Sequence, residues 1–159
     1  DTKAYEDSYI PKGDDYFTED SVLEDTDFFA DVTVLSARLD SDSAHYTLRI
    51  NSLVSKTGEE SKTNITIESS TPYIMQENRE YFIPLRKEND TYSMAFENAP
   101  QIEISLDGDI VFQNGWKSLD DNSGILKDSQ KSKNDYFYDR MRYSSKNDLQ
   151  DLLAKWRTM

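Results

Sequence analysis

From residue 28 onward, apolar and polar positions alternate with a period of two, the spacing that sends every second side chain to one face of a β-strand. A first strand runs from Phe28 to Leu39 through Val32 and Val34. A second carries Tyr46, Leu48 and Ile50 on one face and Thr47, Arg49 and Asn51 on the other. A third turns Ile65 and Ile67 inward, a fourth Tyr81, Ile83 and Leu85, and a fifth Tyr92, Met94 and Phe96. A closing hairpin holds Ile102 and Ile104, then Ile110 and Phe112. Helical spacing occurs at both ends. Over residues 19–27, Thr18 stands as N-cap, Glu19 and Asp20 suit the positive end of the dipole, and Val22, Leu23 and Thr26 face inward. Over residues 145–157, Leu149, Leu152, Leu153 and Trp156 form one stripe, with Ser145 and Asp148 as a capping pair and Trp156 buried.

The phases of the strands restrict their turns, because a slip of one residue turns a whole strand inside out. A loop of residues 87–90 pairs Leu85 with Tyr92, Ile83 with Met94 and Tyr81 with Phe96. In the closing hairpin, a three-residue loop from Leu106 to a left-handed Gly108 pairs Ile104 with Ile110 and Ile102 with Phe112. A two-residue Asp107-Gly108 turn would put Ile110 and Phe112 outside. In the first strand the even positions Val32 and Val34 give way to the odd positions Leu35, Ala37 and Leu39. A β-bulge near residues 34–36 reconciles them and bends the strand, as in small barrels whose first strand serves both halves of the sheet. Leu48, Ile67, Ile83, Met94 and Ile104 are the expected lining of the interior. The organisation expected is an acidic lead-in with a short helix (1–27), a β-barrel (28–116) and a loop with a C-terminal helix packed on the barrel (117–159). These form one domain in all, since 159 residues suffice for one sizeable core.

Composition narrows the chemistry. Two Trp, ten Tyr and seven Phe argue against wholesale disorder. The absence of Cys removes disulfides, zinc knuckles, iron–sulfur clusters and thiol nucleophiles together. No apolar run approaches the roughly 18–20 residues of a membrane helix. The net charge of −13 is concentrated at the start, where residues 1–31 hold 11 acids against 2 bases. Glu6, Asp7, Asp14, Asp15, Glu19, Asp20, Glu24, Asp25, Asp27 and Asp31 read as a solvated run that aids solubility and repels phosphate backbones. The sequence starts at Asp1 with neither an initiator Met nor an apolar signal, which fits a chain trimmed of its targeting segment.

Candidate sites are few. The single histidine, His45, lies beside the polar stretch Asp40–Ser43 and reads as a turn-proximal surface residue rather than the base of a Ser–His–Asp site. Among 31 acids, some pair meets the spacing of a glycosidase by chance, so no catalytic pair is assigned. Asp120, Asp121, Asn122, Ser123 and Gly124 have the composition of a calcium loop. With Gly124 at the sixth place, however, Leu119 falls at the first and Gln130 at the twelfth, so an irregular loop is expected. Lys127, Lys131, Lys133, Tyr136, Phe137, Tyr138, Arg140, Arg142 and Tyr143 interleave bases and aromatics as single-strand binders do. Asp128, Asp135 and Asp139 dilute that run, and it reads as a connecting segment packed on the barrel. Asn64-Ile65-Thr66 and Asn89-Asp90-Thr91 fit the glycosylation acceptor pattern, with Asn64 and Thr66 facing outward, and matter only in a eukaryotic source. No catalytic, cofactor-binding or metal-binding residue is assigned.

The run Phe29-Ala30-Asp31-Val32-Thr33-Val34 followed by Tyr46-Thr47-Leu48-Arg49-Ile50 resembles the opening of small exported OB-fold domains of Gram-positive bacteria, of lipoprotein type. So does Asn78-Arg79-Glu80-Tyr81-Phe82-Ile83-Pro84-Leu85, and the hairpin Ile102 to Phe112 resembles that family's closing hairpin. The resemblance spans about residues 28–113. It implies a mainly β, small OB-like antiparallel barrel of five to six strands, with a short N-terminal and a C-terminal helix. It also implies an extracytoplasmic module, reaching the membrane only through a lipid anchor upstream of this chain. The same barrel occurs in tissue inhibitors of metalloproteinases, which reach zinc with an N-terminal Cys. This chain has Asp1 and no Cys, so inhibition is not carried over. The function expected is a non-enzymatic interaction or binding module of the bacterial cell envelope, with a protein or small ligand at the cell surface as partner and no cofactor. A small hydrolase using paired carboxylates and a single-strand nucleic-acid binder are the alternatives.

Overall fold

Strand β1 (Phe28–Leu39) is paired on both sides, antiparallel to β2 (Ala44–Ser55) along its length and to β6 (Glu80–Glu88) over residues 28–33. The computed structural model describes residues 19–40, 43–69, 73–95, 101–111, 117–118 and 145–159. Around that strand lie α1 (Glu19–Asp25), β3 (Gly58–Glu60), β4 (Asn64–Ser69), β5 (Tyr73–Ile74) and β7 (Thr91–Met94). β8 (Ile102–Ile104), β9 (Ile110–Val111), β10 (Lys117–Ser118) and α2 (Leu149–Arg157) complete the described elements. The main sheet has eight strands in the order β3-β2-β1-β6-β8-β9, with β4 also on β2 and β7 also on β6, while β5 and β10 pair separately. The mainly β, antiparallel architecture with a short helix near each end is thus present. The extra strands relative to the expected five or six are pairings of two or three residues, too short to leave a period in the sequence.

Both neighbours of β1 change partners midway. β2 pairs with β4 over Ala44–Arg49 and with β3 over Leu53–Ser55. β6 pairs with β8 over Glu80–Phe82 and with β7 over Leu85–Glu88. The switch in β6 falls at Ile83-Pro84, where proline has no N–H to donate. The switch in β2 falls beside a register shift between Asp31 and Val32, which leaves Asn51 as the extra residue on β2. A second shift lies between Val34 and Ser36, where the sequence calls for a bulge. The curl brings β4 alongside β7, with Cα atoms within 8 Å, yet no hydrogen-bonded register joins them among the described residues. Side chains cross this seam instead: Lys62 lies over the Tyr92 ring at 4.9 Å, and the Tyr92 hydroxyl reaches Glu60 Oε2 at 3.5 Å. Backbone hydrogen bonding therefore does not close the sheet into a barrel.

Two apolar clusters share this sheet. Inside the curl lie Phe28, Val32, Val34, Tyr46, Leu48, Leu53, Ile65, Ile67, Tyr81, Ile83, Leu85, Tyr92 and Met94. On the outer face, Phe29, Phe82, Ile102, Ile104 and Ile110 are covered by Val22 and Leu23 of α1 and by Leu149, Leu152, Leu153 and Trp156 of α2. Phe29 stacks on Phe82 at 5.1 Å and meets Trp156 edge-on at 4.9 Å. The predicted helical stripe and the burial of Trp156 hold.

Several expectations need correction. Ile104 belongs to the outer cluster and does not line the interior. β8 pairs Tyr81 with Glu103, so Glu103 shares the inner face and its isoleucines meet the helices. The β6–β7 hairpin pairs Leu85 with Met94 and Lys87 with Tyr92 around Asn89-Asp90, two residues away from the expected register. Asn89 takes a positive φ of 56°, which Asn tolerates better than most residues. Faces are preserved because the slip is even. Leu35 sits in the bulge and is exposed, as is Leu39, while Ala37 packs against the core. The closing hairpin matches its prediction, with Ile104 opposite Ile110 and Gly108 at φ 86°. Asp148 returns the Ser145 N–H bond at 3.1 Å, but residues 145–148 form tight turns and the α-helix starts at Leu149. Thr18, Phe96, Phe112, the Asp120–Gly124 loop and the Lys127–Tyr143 segment lie outside the described residues.

Truncating Trp156 to Ala is expected to lower stability by about 3–5 kcal/mol, the cost of emptying a fully buried aromatic site. Leu35→Ala, in the exposed bulge, should stay within about 0.5 kcal/mol of the parent. Urea denaturation of the two variants checks both, and a Leu35 effect equal to that of Trp156 would refute the assigned faces.

Candidate ligand groove

The register of four strands sets up a polar row on the outer surface. Arg49 on β2 stands opposite Thr33 on β1, Thr33 opposite Glu80 on β6, and Glu80 opposite Ile104 on β8. The helices cover the apolar part of this face and leave the row as a groove of about 790 Å³. Thr33, Arg49, Asn51, Asn78, Arg79, Glu80, Glu103, Ser105, Leu106 and Lys146 line it among the described residues.

Buried carboxylates build the floor. Asp31, 7% exposed at its side chain, accepts from Lys146 Nζ at 2.8 Å and from Asn51 Nδ2 at 3.1 Å. The same ammonium donates to Glu80 Oε2 at 2.8 Å. Lys146 is held there by its backbone, since its N–H donates to Gly108 O at 2.7 Å and Asp109 bridges to Ser145. A second unit surrounds Glu103, 5% exposed, which accepts from Arg79 Nη1 at 3.3 Å and from the Tyr81 hydroxyl at 2.9 Å. The Tyr81 oxygen in turn accepts the Gln76 N–H at 2.8 Å, as the Tyr46 oxygen accepts that of Met75 at 3.0 Å. These bonds fix the segment entering β6. At its tip Asn78 adopts φ 65° and donates its N–H to Val34 O at 2.8 Å, which aims Arg79 into the groove.

Protonation equilibria follow from this packing. Burial raises the Tyr81 hydroxyl above its ordinary range and pushes that of Tyr46 up to about 12, so both stay neutral. The Glu80 carboxyl is raised first by burial and then by Asp31 beside it, with Lys146 working in the opposite direction. Lys146 is raised from 10.5 to about 12, chiefly by its hydrogen bond to Asp31 and next by that to Glu80.

The acidic run of the sequence is therefore not uniformly solvated. Asp31 is buried beneath the groove, bonded to Lys146 and Asn51 of its lining. Asp20 pairs with Lys155 at 3.3 Å, Asp25 with Arg86 at 3.2 Å, and Asp27 accepts the Lys87 N–H at 3.0 Å. His45 meets both Asp40 (2.7 Å) and Ser43 (3.4 Å), so the three residues of a would-be triad do converge. Both contacts use the same ring nitrogen, Nε2. A relay needs the carboxylate on one nitrogen and the hydroxyl on the other, so this cluster is a turn clasp. Asn64 and Thr66 face solvent as expected, as do Asn89 and Thr91. No group of three or more metal-ligating side chains occurs among the described residues.

The groove residues escaped the sequence reading because their signal is indirect. Glu103 sits between two isoleucines, which reads as an outward position on a strand with only one apolar face. Asp31 carries the same signature between Ala30 and Val32. A charged residue flanked by apolar ones in a strand covered on both faces is a buried ion-pair candidate, but that second cover is not visible in a period of two. Lys146 joins them only through the tertiary fold. Compared with protein-family models and with curated proteins, the chain matches none.

The Lys146 clamp has a pH signature. Its folded pKa lies above the unfolded value, so its contribution is complete below about pH 10.5 and fades as pH rises through 12. Tyr46 acts in the same window, so the test compares variant with parent. Lys146→Met should be less stable than the parent at neutral pH and should show a shallower alkaline fall in urea midpoint. Parallel alkaline arms would refute the clamp.

Proposed function

We propose that this chain is a non-enzymatic binding module of the bacterial cell envelope, working outside the cytoplasm on an OB-like barrel whose seam is latched by side chains. The reading of the fold is supported by the two register shifts between β1 and β2, by the partner switches in β2 and β6, and by the approach of β4 to β7. The observation that carries the function is the pairing of the groove's acids. Asp31 and Glu80 share Lys146, and Glu103 is engaged by Arg79 and Tyr81. A general acid or base must be free to reach a substrate proton, whereas these carboxylates hold the protein's own cations in place. What the groove presents outward is hydrogen-bonding surface: Arg49, Arg79, Asn51, Asn78, Thr33 and Ser105. The lack of Cys and the resemblance to exported domains support the location.

The wild-type chain should sediment with a washed Gram-positive envelope fraction, and Arg49→Glu should be retained several-fold less. It should not hydrolyse p-nitrophenyl acetate, a p-nitrophenyl N-acetylglucosaminide or bis(p-nitrophenyl) phosphate above the buffer rate. Turnover abolished by Glu80→Gln, or the same low retention for both chains, would overturn the reading.

A further inference from the structure

Formally the groove is neutral, with Arg49, Arg79 and Lys146 set against Asp31, Glu80 and Glu103. Its charges are layered, however. The Asp31 and Glu103 side chains lie at the floor, whereas Arg79 and Lys146 are about half exposed, at 49% and 47%, and Arg49 is exposed at the rim. A ligand arriving from water meets cations first. Arg49 differs from the other two, since it donates to Thr33 Oγ1 at 3.3 Å and has no carboxylate in ion-pair range among the described residues. In a chain of net charge −13, an exposed guanidinium facing a groove without a counter-ion is a ready carboxylate acceptor.

The opposite rim is apolar. Leu106, at the tip of the β8–β9 hairpin, is fully exposed and lines the same groove. Arg49, Thr33, Glu80 and Ile104 form one row across four strands, so at about 4.8 Å per strand Arg49 stands about 14 Å from Ile104, two residues before Leu106. An extended peptide rises about 3.3 Å per residue and covers that span in about four residues. Between the rims, Asn51, Asn78 and Ser105 offer neutral partners to a peptide main chain. A phosphate polymer fits less well, because its affinity grows with the number of cations it neutralises. Here one cation is uncompensated among the described residues and the floor beneath it is acidic.

Resting on the binding-module reading, we propose that the groove takes an extended acidic peptide, with one carboxylate on the Arg49 guanidinium and an apolar side chain about four residues away laid against Leu106. The probes are short capped peptides with one Glu and one Leu separated by Gly-Ser spacers of increasing length. They are titrated into the ¹⁵N-labelled full chain at low and at physiological salt. Amide shifts at Thr33, Asn51, Asn78 and Ser105 should be largest at a separation of about four, and replacing Glu by Gln in the peptide should cost about tenfold in affinity. Arg49→Gln should remove the distinction between Glu and Gln peptides, and Leu106→Ser should flatten the dependence on spacing. Both positions are exposed, and the amide spectrum of each variant reports its fold.

Arg49→Gln binding the Glu peptide as tightly as the parent would overturn the proposal, as would inorganic polyphosphate shifting the same amides more tightly than any peptide. Peptides that shift none of these amides, while the chain still sediments with envelopes, would refute the acidic-peptide assignment alone. Loss of envelope retention as well would refute the module itself.

Discussion

Everything in this fold depends on β1 being bonded along both edges while its two faces enter different apolar clusters. Phe28, Ala30, Val32 and Val34 face the curled interior, and Phe29 meets Phe82 and Trp156 under the helices. A strand covered on both faces and paired on both edges has no freedom to slide. The register shift at Asn51 is therefore a fixed point, beside which β2 leaves one partner for another, as β6 does at Ile83-Pro84. The groove follows from the same geometry, because the bulge between Asp31 and Val32 and the extra Asn51 opposite it bring two polar side chains together on the outer face.

How much of this was legible in the sequence depends on what a period of two encodes. It encodes parity. The faces of β2, β4, β6 and β7, and the three-residue loop before Ile110, could all be read from which side each apolar residue takes. It encodes register only modulo two, which is why the hairpin around Asn89-Asp90 lies two residues from the expected pairing while every face is correct. Nor does it reveal whether an outer face is covered. Ile102 and Ile104 look like interior residues until α2 is seen to lie over them, and Glu103 then proves to be the inward member of its strand. The helical stripe of Leu149, Leu152, Leu153 and Trp156 was visible, yet nothing in it announced that the turn before it would place Lys146 between Asp31 and Glu80. The candidate site is largely a product of that tertiary placement, and so it was nearly silent in the sequence.

The electrostatics of the groove carry a cost that the fold absorbs. Burying carboxylates is unfavourable unless partners are held close, and a buried pair is often no more stable than apolar residues of similar volume. Two such units, Asp31–Lys146–Glu80 on the outer face of the sheet and Arg79–Glu103–Tyr81 on the inner, both contribute to the groove. Their geometric effect is to fix the positions of Asn51 and the Arg79 guanidinium to within hydrogen-bond tolerances. The energy of burial is exchanged for the rigidity of the surface above it.

The unbonded seam between β4 and β7 has a different bearing. A sheet sealed by main-chain bonds has a circumference dictated by its number of strands and their stagger. Here the last junction consists of an ammonium over the Tyr92 ring and a phenol reaching for Glu60, contacts that tolerate changes in distance a peptide ladder would not. The girth of the curl is thus set at this junction by side-chain packing, with Ile65 and Ile67 against Tyr92 and Met94 in one cluster, and not by a count of strand pairings.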